Sequence, residues 1–562
     1  MKKLLTASCT LLSACALYAE STWVATIEVE SLNTLQLGVE AFCKSAEIPI
    51  PPEVLSSTTR ELLTSLLPHE SMENAVSFKD PVRVFLFENS EQPISQGGDP
   101  EYLFALTLAA DPKVIQDQLA KLYTARRDGG NVITFSAPAD VDTDLPANML
   151  LSIGERNKAL LTMSKDALAW FQQQQKLDDF LPMPGSQTLR TRLNTKFLAS
   201  VFPQEPELAF FAKIMDDVDY ISLAITPNAQ AIALTYGLRF KKGSVIATLL
   251  DALKPPKADR WNGVPENAFL AYVGQDPTAE NVAKFVKTYL EQDIPVDPIN
   301  VKIDESIERD VVRYLTTTAD KKGLRYIDIS PLKDGTGVQD AIKEAIKTLE
   351  QIEVSPGAKL KTEEARKFGE QTVERYSLSI DMAAALKAQG MDPTLMAGNP
   401  AMMIVPMLTK GIVFEYTVKD NYLISAVSPA GATDNWIPAI PFAVPAITLD
   451  KKVAAVDPNA KVQSAFEFSL TPFLKQVVSM LPNVKPEHLN LFSAKTDAIQ
   501  IWTATADNNV TAVTLRVPAN EVASISKIAT NGQAALQEIM FALFAAQMQL
   551  MAPPAATPPP NF

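Results

Sequence analysis

The chain has 562 residues, with 51 Lys and Arg against 65 Asp and Glu, for a formal net charge of −14. Such an acidic surface repels phosphate backbones, which argues against nucleic acid as a partner. Three cysteines and two histidines leave little material for a disulfide framework or a His- or thiol-based zinc site, and no cofactor is implied.

The start of the chain carries the strongest signal. Lys2 and Lys3 precede an uncharged, mostly apolar stretch from Leu4 to Ala16, and Leu17-Tyr18-Ala19 closes on a small residue. That order is the order of a secretory signal peptide, residues 1–19, with Glu20 as the mature N-terminus. Its removal takes away Lys2 and Lys3 and no acid, leaving a net charge of −16. Leu12-Ser13-Ala14-Cys15 also matches a bacterial lipobox, which would lipidate Cys15 and make an outer-membrane lipoprotein. The missing polar tether after Cys15 favours release. Either route places the protein outside the cytoplasm, in the periplasm or secreted. No later stretch is long and apolar enough for a transmembrane helix.

The mature chain repeats one pattern: strand, cap, helix. Trp23 to Val29 leads through Ser31 into a stripe of Leu35, Val39 and Phe42. Tyr102 to Leu108 leads into Asp111-Pro112, with Ile115, Leu119 and Leu122 behind. Ala268 to Val273 leads into Asp276-Pro277, Tyr376 to Ile380 into Asp381, and Ala465 to Leu470 into Thr471-Pro472. A longer ββα module recurs at about 218–254 and 491–531. Ile412 to Val418 and Tyr422 to Val427 flank Lys419-Asp420-Asn421 as a hairpin. The expected class is α+β: two related lobes of mixed, mainly antiparallel sheet with helices on one face. Lobe one spans 20–260 and lobe two 261–531. Residues 532–552 read as an apolar C-terminal helix and 553–562 as a disordered Pro/Ala tail.

Val264 to Val273, the Asp111-Pro112-Lys113 helix start and the Leu161 to Leu168 strand-to-helix step resemble an uncharacterised domain-of-unknown-function family of exported bacterial α+β repeat proteins. These residues are structural punctuation. The resemblance implies an exported repeat protein and carries no catalytic residues.

Candidate chemical motifs each lack a needed residue. Asp140, Asp142 and Asp144 have the spacing of a calcium loop, but Leu145 and Leu151 stand where Gly and Glu are required. Gly335-Thr336-Gly337 meets Asp340 where a dinucleotide fingerprint needs a third glycine. Ser524 and Lys527 have Ser-x-x-Lys spacing without the accompanying Ser-Asp-Asn or Lys-Thr-Gly. Met391, Met396, Met402, Met403 and Met407 lie among aliphatic residues, as core methionines do. His69 and His488 flank prolines and read as surface histidines.

Two apolar segments are left as partner-docking candidates: Trp436, Ile437 and Phe442 in a proline-broken stretch, and Ile539, Phe541 and Phe544 in the C-terminal helix. The latter would self-associate or touch a membrane surface peripherally. The expected function is a non-enzymatic binding or scaffold protein of the cell envelope, its partner an envelope protein or polymer. The alternative is a carboxylate-dependent hydrolase of an envelope or extracellular glycan.

Overall fold

In the computed structural model, strand β1 (Thr22–Val29) runs into helix α1 (Leu32–Ser45). Ser31 makes that transition: its side chain accepts a hydrogen bond from Thr34 N at 3.2 Å and caps the helix. The structure describes residues 22–48, 76–88, 101–137, 148–173, 188–201, 209–257, 264–293, 298–351, 358–380, 411–438, 461–480, 484–505 and 510–531, apart from short gaps inside these ranges. The signal segment with Cys15, the acidic loop at 140–144, Gly335 and Thr336, the methionine cluster, Phe442, the 533–551 stretch apart from Gln537, and His69 lie outside the described residues.

After α1 come β2 (Val82–Glu88), β3 (Glu101–Thr107), α2 (Pro112–Leu119), β4 (Thr124–Gly129), β5 (Val132–Ser136), β6 (Asn148–Ile153) and β7 (Lys158–Thr162). Then follow α3 (Lys165–Gln173), β8 (Leu189–Leu193), α4 (Thr195–Val201), α5 (Ala209–Asp216), β9 (Val218–Pro227), β10 (Ala231–Phe240) and α6 (Val245–Ala252). The second half opens with β11 (Leu270–Gln275), α7 (Ala279–Leu290), α8 (Pro298–Ser306), β12 (Asp310–Thr317), β13 (Leu324–Pro331) and α9 (Val338–Gln351). It continues through β14 (Ala358–Thr362), β15 (Arg366–Phe368), β16 (Gln371–Ile380), β17 (Ile412–Lys419), β18 (Tyr422–Pro429) and β19 (Lys461–Phe468). It ends with α10 (Leu470–Ser479), α11 (Pro486–Leu489), β20 (Ile499–Thr505), β21 (Thr511–Pro518) and α12 (Ala519–Asn531).

The fold is α+β and is dominated by one large sheet. Its order is β4-β5-β6-β7-β3-β2-β1-β8-β9-β10 in the first half. At β10 it passes to β21-β20-β19-β11-β12-β13-β18-β17-β16. Both β14 and β15 flank β16 at the far side. Every described pairing is antiparallel, so the expected mixed character is absent among the described residues. The hairpins turn where the sequence places turn residues: Asp420 and Asn421 both take left-handed backbone, at φ 48° and 65°.

Helices were expected on one face; in the first half they cover both. Val84, Leu86, Phe104 and Leu106 join a core with Leu32 of α1 and Ile115 and Leu119 of α2. Their neighbours Phe85, Phe87 and Leu103 point the other way and pack against Ala167, Leu168 and Trp170 of α3. The near-continuous apolar run Val84 to Phe87 is what a strand buried on both sides requires. One cap also differs. Thr278, not Asp276, caps α7, accepting from Asn281 N at 3.0 Å. Asp276 is instead held by Arg313.

The two halves lock together through helices as well as strands. Phe42 and Cys43 of α1 pack with Ala519 of α12, and Glu47 pairs with Lys527 at 2.7 Å. Burial pushes the Cys43 thiol up, which leaves it a small packing residue. In the other direction α7 packs on α5 and α6. Tyr289 donates to Asp217 at 2.5 Å, and burial with that carboxylate pushes its phenol up to about 12. Gly38 lets α1 approach the end of β9: a Cβ there would lie 2.5 Å from the Pro227 carbonyl oxygen.

A buried ion pair fastens the segment after β18. Arg325, 2% exposed, grips Asp434 with both terminal nitrogens at 2.5 and 2.7 Å and donates from Nε to Ser428 at 2.8 Å. The guanidinium pushes the Asp434 carboxyl down to about 2 from an ordinary 3.8. Arg325→Leu leaves Asp434 and Ser428 without it and should cost about 3 kcal/mol in denaturant unfolding. The depressed carboxyl contributes stability above pH ~4, and that contribution is lost as pH falls through about 2. The stability gap between the native chain and Asp434→Asn should therefore be full at neutral pH and close toward pH 2.

Candidate functional site

Of the docking residues expected from sequence, two are described. Trp436 is 5% exposed and joins the core of Val273, Val312, Ile329 and Trp502, with Ile437 packed beside it. Asp434, two residues earlier, is the anchor that holds this segment down. The start of the proline-broken stretch is thus core packing.

The motif residues that are described separate. Ser524 is buried, and its hydroxyl lies 3.1 Å from that of Thr471. Lys527 points outward to Glu47, so the two do not form a nucleophile–base pair. Gly337 takes left-handed backbone at φ 84° just before α9. His488 of α11, expected at the surface, is only 7% exposed, and its neighbour Leu489 packs against the core of Val478, Phe492 and Ile528. The prolines that suggested a loop start that short helix, with Pro486 in its first turn.

Besides Glu88 on β2, five buried carboxylates stand out among the described residues, because ionised groups stay inside only when paired. Glu28 on β1 lies between Arg83 of β2 and Arg190 of β8, its neighbours across two strand pairings. Glu415 on β17 faces Arg375 at 3.2 Å and Arg366 at 3.7 Å. Glu467 on β19 accepts from Gln500 Nε2 at 2.5 Å, and Arg516 reaches the same glutamine at 3.4 Å. Glu521 on α12 accepts from Thr471 N at 2.7 Å and Thr471 Oγ1 at 2.8 Å. Asp310 accepts from Lys257 N at 3.0 Å and Gln275 Nε2 at 2.7 Å. Each is a staple between strands or between helices.

Glycan hydrolysis would need two carboxylates of unlike environment facing one cleft. Asp276 and Asp328 lie close together, but Arg313 sits between them. It donates to Asp328 at 2.6 Å and to Asp276 at 2.9 Å. The guanidinium shared by both ties the two carboxylates into one ion-pair triad of net charge −1. Among the described residues no group of three His, Cys, Asp or Glu is placed to hold a metal ion.

One open concavity of about 520 Å³ lies at the corner where β1 ends, β2 begins and α1 starts. Glu30, Ser31, Asn33, Thr34, Lys79 and Pro81 line it. Sequence reasoning did not find it, since Glu30 and Lys79 are brought together only by the β1–β2 pairing. A second corner, at β11 and β12, is filled. There Leu253 to Lys257 run across it, with Lys254 N donating to Gln275 Oε1 at 2.8 Å and Gln463 Nε2 donating to Leu253 O at 3.4 Å. Lys257 Nζ adds a contact to Glu308 at 2.7 Å.

No family model, curated protein or solved structure matches the chain. The resemblance noted from the sequence is therefore carried by its own residues alone. The staples make a direct prediction. Glu467→Ala removes the acceptor of a buried amide and should cost about 1–3 kcal/mol. It should shift the denaturant midpoint without changing the slope.

Proposed function

We propose that this chain is an exported cell-envelope or secreted protein that binds or scaffolds rather than catalyses. The observation that carries the reading is the use of its buried charges. Glu28, Asp310, Glu415, Glu467 and Glu521, five of the six buried carboxylates among the described residues, each join a neighbouring element, which supports a structural use of buried charge. Export is carried by Lys2, Lys3, the apolar stretch and Ala19. Partners would be envelope proteins or polymers, met through Phe442 and the apolar C-terminal stretch with Ile539, Phe541 and Phe544.

We further infer that the sheet arose by duplication, with residues 20–260 and 261–531 as related lobes. Outward from the middle, the first half reads β10-β9-β8-β1-β2-β3-β7-β6-β5-β4. The second reads β21-β20-β19-β11-β12-β13-β18-β17-β16-β14, the same order taken ten or eleven strands later. Fine contacts agree. Asn194 N donates to Val24 O at 2.9 Å, and Ser469 N donates to Phe269 O at 2.7 Å, each just before a helix. Leu108 bridges Val76 and Leu332 bridges Ile307. Their amides donate to Asn157 O and Asn421 O, both at 2.8 Å, and both asparagines have left-handed backbone.

The register supports an axis for this relation. Arg192 pairs with Ser222 and Ser222 with Gly237, while Glu467 pairs with Gln500 and Gln500 with Arg516. Arg192 and Glu467 each stand two residues before the helix-entry residues Asn194 and Ser469. Gly237 therefore corresponds to Arg516, and Thr235 to Thr514. Those two threonines are paired with each other, their hydroxyls 3.0 Å apart and buried.

Two measurements test these readings. Intact mass of the secreted form should give Glu20 as the first residue, and a lipid-modified Cys15 would overturn release. Thr235→Val and Thr514→Val should each cost about 1–2 kcal/mol, alike within ~0.5, and the double variant should cost less than their sum. Clearly unequal single costs would count against an axis through this pair.

A further inference from the structure

The open corner at the start of α1 has a filled counterpart, and the difference points to its occupant. Val24 corresponds to Phe269, so Glu30 corresponds to Gln275, the residue that accepts from the Lys254 amide. Val29 pairs with Val82 and Gly274 with Val311. Pro81 and its neighbour Lys79 thus stand where Asp310 and its neighbours receive the Lys257 amide. The filled corner holds the chain that leaves α6, and α6 follows β10. By the same relation, the open corner should hold the chain that leaves α12, which follows β21.

We infer that the proline-rich segment 551–562 docks as an extended strap in the corner lined by Glu30, Asn33, Lys79 and Pro81. The proposal rests on the duplication reading. It commits to this chain's own segment because the strap already seen, Leu253-Lys254-Pro255-Pro256-Lys257, has its like in Met551-Ala552-Pro553-Pro554-Ala555. Proline pairs favour an extended backbone, and an extended segment offers its amides and carbonyls sideways. Glu30 accepts an amide, as Gln275 does. Lys79, which by this register corresponds to Glu308, donates to a carbonyl where Glu308 accepts from Lys257 Nζ.

Reach is sufficient. From β10 the seen strap crosses to β11, four strand spacings away through β21, β20 and β19. From β21 the corner at β1 is again four spacings away, through β10, β9 and β8. At roughly 4.8 Å per spacing that is about 19 Å. The stretch between Asn531 and Met551 covers about 30 Å even when fully helical.

The experiment compares amide exchange in the mature chain and in a version ending at residue 550. Amides 31–34, 79, 80 and 82 should exchange at least fivefold faster in the shortened chain, while those at 275–276 and 310 are unchanged. A second arm carries Lys79→Cys with Ala555→Cys in the full mature chain. Oxidation should give an internal disulfide in the monomer. Equal exchange in both chains, or no internal disulfide, overturns the proposal. A disulfide formed only between molecules overturns it too, since the occupant is then a second copy. The paired threonine costs report on the duplication separately: alike costs without strap protection sink the docking alone, and unequal costs sink the relation that motivates it.

Discussion

Everything else in this fold depends on the β10–β21 pairing. Eight residue pairs, from Ala231 with Pro518 to Leu238 with Thr511, continue the hydrogen-bond ladder across the middle of the sheet. Without it each half would end in a long edge strand with a row of unpaired amides and carbonyls. The strand faces alternate here in a telling way. Ala233, Thr235, Ala512 and Thr514 are buried, whereas Tyr236 is half exposed. Small residues and a shared threonine hydrogen bond suit a seam covered on one side. The exchange of helices follows from this pairing: with β10 and β21 side by side, α1 lies near α12 and α7 near α6.

The sheet's outer edges are handled differently. At β4 the exposed residues include Arg126 and Arg127, and at β14 Lys359 and Lys361. Charged side chains on an edge discourage another strand from adding there.

Buried charge among the described residues has a structural use. A wide antiparallel sheet must keep its register over many strands, and a slip by one residue would turn every side chain to the wrong face. Glu28 between Arg83 and Arg190, and Glu467 beside Gln500 and Arg516, penalise such a slip by leaving charges buried and unpaired. The same groups are costly to desolvate. Their value lies in specifying one alignment more than in adding net stability.

The sequence by itself determined the local elements. Ser31 before Leu32, Asp111-Pro112 before a 3.6-residue stripe, and Asp420-Asn421 between alternating strands all act through neighbours in the chain, and the structure has those caps and turns. It also made the two ββα modules visible, since each is contiguous. Only tertiary structure decided which strands became neighbours, that helices cover both faces of the first half, and that His488 and Trp436 are interior. The corner of Glu30 and Lys79 was invisible for the same reason: its residues come from segments joined only by strand pairing. Local hydrogen bonds are written in residues a few positions apart. Pairing across the sheet is settled by burial and register, which no short stretch of sequence contains.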